Sequence, residues 1–319
     1  MFYQDRLCLV TGGTGFIGTH LVQALLEAGA KVRITRHLRA PQIIDSRIET
    51  VEADLTRLED CLTAMQGVSC VFHAAGAVAG AGNTPDWAIN AIADNLVLTA
   101  RVVQAAWTAG VERLQLFSSS TGYPDSPEPM SEDMFWNGPI HPAYQGYGWM
   151  RRYFERLAEF AAAKKPALGI ALVRPTAVYG PHDNFDPTLS HVLPSLIRKA
   201  VERMDPYEVW GDGNEVRDFL HAADLAQGCL QALEHHAVCD PVNIGYGEGV
   251  AVKEVVAMVL KAANHENAQV RFDASKPTTI PKRQISIEKA RRLFGFTPRF
   301  TLEQGIKDTV DWYTKQRTV

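Results

Sequence analysis

Leu7-Cys8-Leu9-Val10-Thr11-Gly12-Gly13-Thr14-Gly15-Phe16-Ile17-Gly18 is the stretch that decides the fold. Leu7 to Val10 is a short apolar run, a glycine cluster follows, and from Phe16 to Ala28 the apolar residues recur at helical spacing. The stretch therefore reads strand, turn, helix. Glycines at 12, 15 and 18 let the backbone turn tightly, approach a pyrophosphate and pack helix on strand, while the helix N-terminus offers partial positive charge to phosphates. A strand before and a helix after distinguish such a loop from an ordinary glycine-rich turn. Gly12, Thr14, Gly15, Phe16, Ile17 and Gly18 are the expected contacts of a dinucleotide.

Working outward, the unit repeats. Strands are expected at Lys31 to Thr35, Ile48 to Ala53, Cys70 to His73 and Val111 to Ser118, with helices at Leu55 to Met65 and Ala88 to Ala106 between them. Alternation of this kind implies parallel pairing with helices on both faces, a doubly wound α/β sheet of the Rossmann type. A long helix from Tyr144 to Ala163 and a strand from Leu168 to Val173 complete it. After Arg174-Pro175 the texture changes, with Tyr179-Gly180-Pro181, Pro187, Pro194 and Trp210-Gly211-Asp212-Gly213 punctuating shorter elements. The expected division is a dinucleotide-binding domain over 1–175, with a returning segment near 215–245, and a smaller C-terminal α/β domain over 176–319.

Composition narrows the function classes. The 319 residues are 46% hydrophobic and 21% charged, an ordinary globular balance that excludes disorder and collagen-like order. With 32 basic against 36 acidic residues and no block of like charge, a nucleic-acid partner is not expected. Cys8, Cys61, Cys70, Cys229 and Cys239 are odd in number and form no CxxC pair, which suits free thiols in a reducing compartment and predicts a cytoplasmic protein with no metal. The uncharged run from Cys61 to Pro85 is broken by Gln66, Ser69, His73, Asn83 and glycines, so no membrane span is expected, and residues 1–6 lack a signal peptide's pattern.

The end of the second strand informs the cofactor. A site for NAD usually has Asp or Glu there for the ribose 2′-hydroxyl, whereas this chain has Thr35-Arg36-His37. Arg36 can clasp a 2′-phosphate, so NADP is favoured, with NAD possible. Asp54-Leu55 is placed for the adenine, and Ala74-Ala75-Gly76 gives a small-residue floor beside the cofactor. Ser118-Ser119-Ser120-Thr121 ends the fifth strand, and Tyr147-Gly148-Trp149-Met150-Arg151 opens a helix, so both reach the crevice at the carboxyl edge of the sheet. A phenol with a cation one turn away and a serine hydroxyl opposite form a proton-delivery device, because the cation stabilises tyrosinate.

With these residues together the chain resembles the extended short-chain dehydrogenase/reductases, also called the NAD-dependent epimerase/dehydratase family. Tyr179-Gly180-Pro181-His182-Asp183-Asn184-Phe185, Ser190-His191-Val192, Val209 to Gly213, Arg217-Asp218-Phe219-Leu220-His221, Asp224-Leu225 and Phe272-Asp273-Ala274-Ser275-Lys276-Pro277 are most similar to its GDP-L-fucose synthase branch, nearly end to end. The resemblance implies NADPH-dependent epimerisation and reduction of a nucleotide-bound 4-keto-6-deoxyhexose, GDP-linked, by a homodimer whose C-terminal domain holds the sugar nucleotide. It makes Ser119 and Tyr147 the hydroxyl pair at the keto group and His191 an epimerisation acid/base. Arg151 takes the place of a catalytic cation, Arg217 meets the substrate pyrophosphate, and Thr121, Asn184, Arg198, Trp210 and Arg283 are further substrate contacts.

Three positions depart from that pattern. The branch's lysine four residues after the tyrosine is Arg151, its acid/base cysteine two residues after the serine is Thr121, and its asparagine three residues after Arg174 is Ala177. An aliphatic hydroxyl at 121 is no acid/base near neutrality, so 3,5-epimerisation is expected to be absent or very slow. A 4-epimerase that oxidises C4 transiently is the alternative enzyme, and a protein that senses NADP or a nucleotide sugar is the non-catalytic one. A 4,6-dehydratase is disfavoured because Thr121 is followed by Gly122-Tyr123 rather than by Asp-Glu.

Overall fold

The computed structural model describes residues 1–77, 85–276 and 278–318, so Asn83 and Pro277 lie outside the described residues. The first half alternates strand and helix: β1 (Leu7–Thr11), α1 (Phe16–Glu27), β2 (Lys31–Arg36), β3 (Ile48–Glu52), α2 (Leu58–Ala64), β4 (Cys70–His73), α3 (Pro85–Ala109), β5 (Arg113–Phe117), α4 (Gln145–Lys164) and β6 (Gly169–Pro175). The second half is built of shorter pieces: β7 (Ala177–Tyr179), α5 (Val192–Val201), β8 (Tyr207–Trp210), β9 (Val216–Arg217), β10 (Phe219–His221), α6 (Ala222–His235) and β11 (Val242–Ile244). It ends with β12 (Val250–Ala251), α7 (Val252–Ala262), β13 (Val270–Asp273), β14 (Lys282–Arg283), α8 (Glu288–Phe294) and α9 (Leu302–Thr318).

Seven strands form one parallel sheet in the order β3-β2-β1-β4-β5-β6-β11. The chain winds outward from β1 to β3, then returns to β4 on the other side, so the switch point lies between β1 and β4 and a crevice opens at their carboxyl ends. Strand periodicity sorts the core: Cys8 and Val10 point to the face covered by α1 and α6, and Leu9 to the face covered by α2, α3 and α4. α6 packs on α1, and β11 extends the sheet beside β6, so residues 222–244 belong to this layer. A separate core gathers Leu193, Ile197, Tyr207, Phe219, Val255, Val259, Ile306 and Val310 from the second half. The small sheets β10-β7, β12-β9-β14 and β13-β8 lie in that half.

Three helix starts differ from the sequence reading: α3 begins at Pro85 rather than Ala88, and two others shift for local reasons. The helix expected from Leu55 begins at Leu58 because Asp54 Oδ1 first accepts from Thr56 N at 3.0 Å and Thr56 Oγ1 at 2.7 Å, closing a turn. The helix expected from Tyr144 begins at Gln145, after a tighter turn over Pro142–Tyr144. No helix among the described residues is long and apolar enough to cross a membrane.

One buried ion pair ties α4 to β6. Arg174 donates through Nε and Nη2 to the two carboxylate oxygens of Glu155, both at 2.8 Å, and through Nη1 to Tyr123 Oη at 3.0 Å and the Glu132 carbonyl at 2.8 Å. The side chains are 3% and 0% exposed, so removing one partner strands the other charge in the core. Glu155→Ala is expected to cost about 3–5 kcal/mol of folding stability. Urea unfolding checks this; a loss below about 1 kcal/mol would contradict it.

Candidate active site

The glycine loop is shaped by backbone approach. A Cβ on Gly12, whose φ is +66°, would stand 2.7 Å from Ala75 Cα, and one on Gly18 would stand 2.1 Å from the Gly12 carbonyl oxygen. Neither position has room for a side chain. Gly15 caps α1 without any side-chain acceptor, which leaves the first-turn amides near Phe16 and Ile17 for an incoming anion. Thr14 is buried beside them. Ala74 N donates to the Thr11 carbonyl at 3.1 Å and Ala75 N to Thr11 Oγ1 at 3.3 Å, so the Ala74-Ala75-Gly76 segment lies against the loop. These features fit a dinucleotide pyrophosphate: close backbone, a free helix N-terminus and no acidic side chain in the loop.

Three side chains that hold this floor escape the sequence reading. Thr35 Oγ1 accepts from Gly12 N at 2.9 Å. Asn95 Oδ1 accepts from Ala77 N at 3.1 Å, and its Nδ2 donates to the carbonyls of Ala77 at 2.8 Å and Ala91 at 2.7 Å. His73 bridges Thr11 Oγ1 at 2.7 Å and Thr99 Oγ1 at 3.2 Å; burial, aided by the charge of Arg151, lowers its pKa to about 3, so the ring is neutral. The available signal was Asn95 and Thr99 four residues apart on the buried face of α3, polar groups that a core tolerates only when bonded.

Ser119, Thr121, Tyr147 and Arg151 are brought together by the packing of α4 on the end of β5. A Cβ on Gly148 would meet the Thr121 carbonyl oxygen at 2.7 Å, so glycine there lets the start of α4 ride on the serine loop. Ser119 Oγ accepts from Thr121 N at 3.2 Å, which leaves its own proton to donate to a substrate oxygen. Arg151 Nη1 donates to the Phe117 carbonyl at 3.0 Å. Burial lowers its pKa to about 10, opposed by the Tyr147 phenol, so the guanidinium stays charged at neutral pH and favours the phenolate in return.

Arg217 and Arg283 sit opposite one another on the paired strands β9 and β14. Arg217 donates to the Val216 carbonyl at 2.9 Å and to Thr279 Oγ1 at 3.1 Å; Arg283 Nη1 donates to the Ser120 carbonyl at 3.1 Å. Burial lowers both pKa values, and Arg217 adds to the lowering at Arg283. Arg283 Nε and Nη2 are buried with no hydrogen-bond partner among the described residues. Such a pair of cations beside the serine loop suits a diphosphate.

Asn184, His191 and Arg198, expected to meet the substrate, lie before, at the cap of and within α5, each with its own contacts. His191 caps α5 and is open to solvent at its edge, while the protein around it lowers its pKa through desolvation. Asn184 Oδ1 accepts from Asp186 N at 3.0 Å, and Arg198 is held by Glu202 at 2.7 Å. Burial pushes Asp183 up to about 7; its Oδ1 accepts from Asn184 N, and its Oδ2 is buried with no hydrogen-bond partner among the described residues. Trp210 is partly exposed at the end of β8, with Lys276 Nζ 6.0 Å from its ring centre.

At the corner expected to hold the adenosine, two of the residues already have partners of their own. Arg36 is not waiting free: its Nη2 donates to Glu52 Oε1 across the β2–β3 pair. Asp54 N donates to Asp60 Oδ2 at 2.9 Å and its Oδ1 closes the turn before α2, so the residue shapes that corner through its own bonds, with Leu55 buried beside it. Among the described residues no cluster of His, Cys, Asp or Glu could hold a metal ion.

Residues 8–245 match the model of the NAD dependent epimerase/dehydratase family. The chain belongs to that family. Solved relatives 29% and 26% identical to this chain are described with NAD and with NADP bound, and NADP or NAD is its cofactor. Putative GDP-L-fucose synthase 2 of Arabidopsis thaliana is 30% identical over 320 residues, covering 98% of this chain and 93% of that protein. A dTDP-4-dehydro-6-deoxy-D-allose reductase from a Streptomyces species is 29% identical over 98% of this chain and 97% of its own. The solved GDP-L-fucose synthetase of Naegleria fowleri, bound to NADP, superposes with a TM-score of 0.83 at 26% identity, covering 99% of this chain and 95% of that one.

The floor under the cofactor gives a direct test. Asn95→Ala removes three hydrogen bonds at 2.7–3.1 Å and unties the segment after Gly76. NADPH affinity, read by fluorescence titration, is expected to fall about tenfold, with a stability loss of roughly 1–3 kcal/mol. Unchanged affinity would remove Asn95 from the support of the site.

Proposed function

We propose that the protein is an NADPH-dependent reductase acting at C4 of a nucleotide-bound 4-keto-6-deoxyhexose, with GDP the favoured nucleotide, and that it performs 3,5-epimerisation slowly or not at all. The observation that carries the reading is the joining of Ser119, Tyr147 and Arg151 at the crevice without a thiol beside them. Cys8, Cys61, Cys70 and Cys229 are buried in the core, and Cys239 N bonds the Ile170 carbonyl at the amino end of β6, the far edge of the sheet. The cofactor supplies hydride to C4. Ser119 donates a hydrogen bond to the C4 oxygen and polarises it, Tyr147 delivers the proton to that oxygen, and Arg151 stabilises the tyrosinate left behind. Arg217 and Arg283 hold the substrate diphosphate. Asn184, His191, Arg198 and Trp210 face the sugar and base, with His191 the exposed acid/base among them. The relative named as a dTDP-4-dehydro-6-deoxy-D-allose reductase supports reduction of a 4-keto-6-deoxy sugar nucleotide.

The oligomer we propose is a homodimer formed through α3 and α4, which pack on one another and expose Ile89, Val97, Trp149, Tyr153 and Phe160. Large apolar side chains grouped on two adjacent helices mark an association face. The five free thiols suit a reducing compartment, and we place the enzyme in the cytoplasm. Sedimentation at micromolar concentration is expected to give a dimer, and Phe160→Glu a monomer; a monomeric parent protein overturns the dimer.

GDP-4-keto-6-deoxymannose with NADPH in deuterated water tests the chemistry. Expected are stoichiometric NADPH oxidation and no rapid deuterium entry at C3 or C5. Rapid exchange at both carbons, lost in His191→Asn, restores full epimerisation; interconversion of a 4-hydroxy nucleotide sugar with its C4 epimer, without net NADPH loss, favours the epimerase; no turnover of any nucleotide sugar favours a sensor. Tyr147→Phe should lower kcat by at least about 100-fold with NADPH affinity within twofold, whereas Arg151→Lys should keep turnover within about tenfold because the point charge is retained.

A further inference from the structure

Two arginines on β2 are paired with glutamates directly opposite on β3: Arg33 with Glu49 and Arg36 with Glu52. Their surroundings differ. Arg33 also donates to the carbonyls of Ala64 at 3.0 Å and Gln66 at 2.7 Å, so its guanidinium is saturated and its side chain is 12% exposed. Arg36 stands at the carboxyl end of β2, 39% exposed, and Glu52 is its one hydrogen-bond partner among the described residues. Glu52 is 75% exposed, accepts from no other group there, and is the last residue of the edge strand. The first pair is a clamp, and the second is a contact that water and solute reach.

We propose that Glu52 is a specificity-determining residue that limits the preference for NADP by competing with the cofactor's 2′-phosphate for Arg36. The inference rests on the reading of Arg36 as the 2′-phosphate's partner. A phosphate monoester carries nearly two negative charges at neutral pH and seeks the same donors that Glu52 occupies. Binding NADP requires the guanidinium to leave Glu52 or to share its fork with a carboxylate, and it holds two like charges near one another. NAD brings no charge to that corner and leaves the ion pair undisturbed. An exposed pair of this kind is weak enough to be displaced, so Glu52 trims the advantage of NADP without abolishing it. A chain with Arg36 alone would discriminate more strongly.

The test is the affinity for NADPH and NADH, measured by nicotinamide fluorescence titration of the full chain at fixed ionic strength, with no sugar substrate present. Glu52→Gln is expected to tighten NADPH about three- to tenfold and to change NADH by less than about twofold. In the Arg36→Gln background the same change should gain less than half as much for NADPH, because the competed group is gone. An unchanged NADPH to NADH ratio in Glu52→Gln overturns the competition, as does an equal gain with and without Arg36. If Arg36→Gln itself leaves the ratio unaltered, Arg36 is not the phosphate's partner and the underlying reading fails with it. Loss in Arg36→Gln without gain in Glu52→Gln overturns only the role of Glu52.

Discussion

The close approach of the backbone at Gly12 to Ala75 is the constraint on which the site depends. A Cβ at Gly12 would reach within 2.7 Å of Ala75 Cα, so the turn after β1 and the segment after β4 can lie side by side only because residue 12 has no side chain. β1 and β4 are the strands between which the winding of the sheet reverses. Their two carboxyl-end segments, drawn together there, form one continuous polar floor. Thr11, Thr35, His73, Asn95 and Thr99 then bond that floor from beneath, each using a neutral group. A charged support would oppose the partial positive charge of the α1 N-terminus or attract the phosphate away from it.

A second regularity concerns how cations are held. Arg151, Arg217 and Arg283 are each anchored chiefly to main-chain carbonyls, of Phe117, of Val216 and of Ser120. A carbonyl orients a guanidinium without neutralising it, so the charge stays available to tyrosinate and to diphosphate; Arg283 also has a carboxylate nearby, Asp125 Oδ1 at 3.9 Å from its Nη2. Arg174, by contrast, is matched with the carboxylate of Glu155 and serves the core. Arg36 belongs by position with the first group and by partner with the second. Its ambiguity follows from β3 being an edge strand, whose last side chain is free to reach across.

The sheet was legible because its signals are local: apolar runs, a glycine cluster at a strand end, helical spacing after it. The grouping of Ser119 with Tyr147 was legible too, since strand carboxyl ends in a doubly wound sheet share one edge. What escaped depends on register and on depth. The pairing of Arg36 with Glu52 requires knowing that β3 aligns residue 52 with residue 36. Asn95 reads as an interruption of an apolar helix until the loop it binds is in place. β11, only three residues long and paired at the far side of β6, carries too little periodicity to announce itself.

The replaced residues at 121 and 151 have unequal consequences. Arginine at 151 is longer than lysine, and the excess reach is taken up by its bond to the end of β5, which leaves the charge within electrostatic range of Tyr147. Proton delivery to the C4 oxygen therefore keeps its parts. Threonine at 121 contributes its backbone N–H to Ser119 and supplies no group that titrates near neutrality. Inversion at carbon needs one group to remove a proton and another to return one from the opposite face, whereas reduction needs a proton at oxygen from one side only. At the start of α5 His191 is open to solvent, while Asp183 Oδ2 is buried. On the function proposed above, the parts gathered around Tyr147 suffice for the one-sided reaction, which is why reduction is the chemistry we assign to the site.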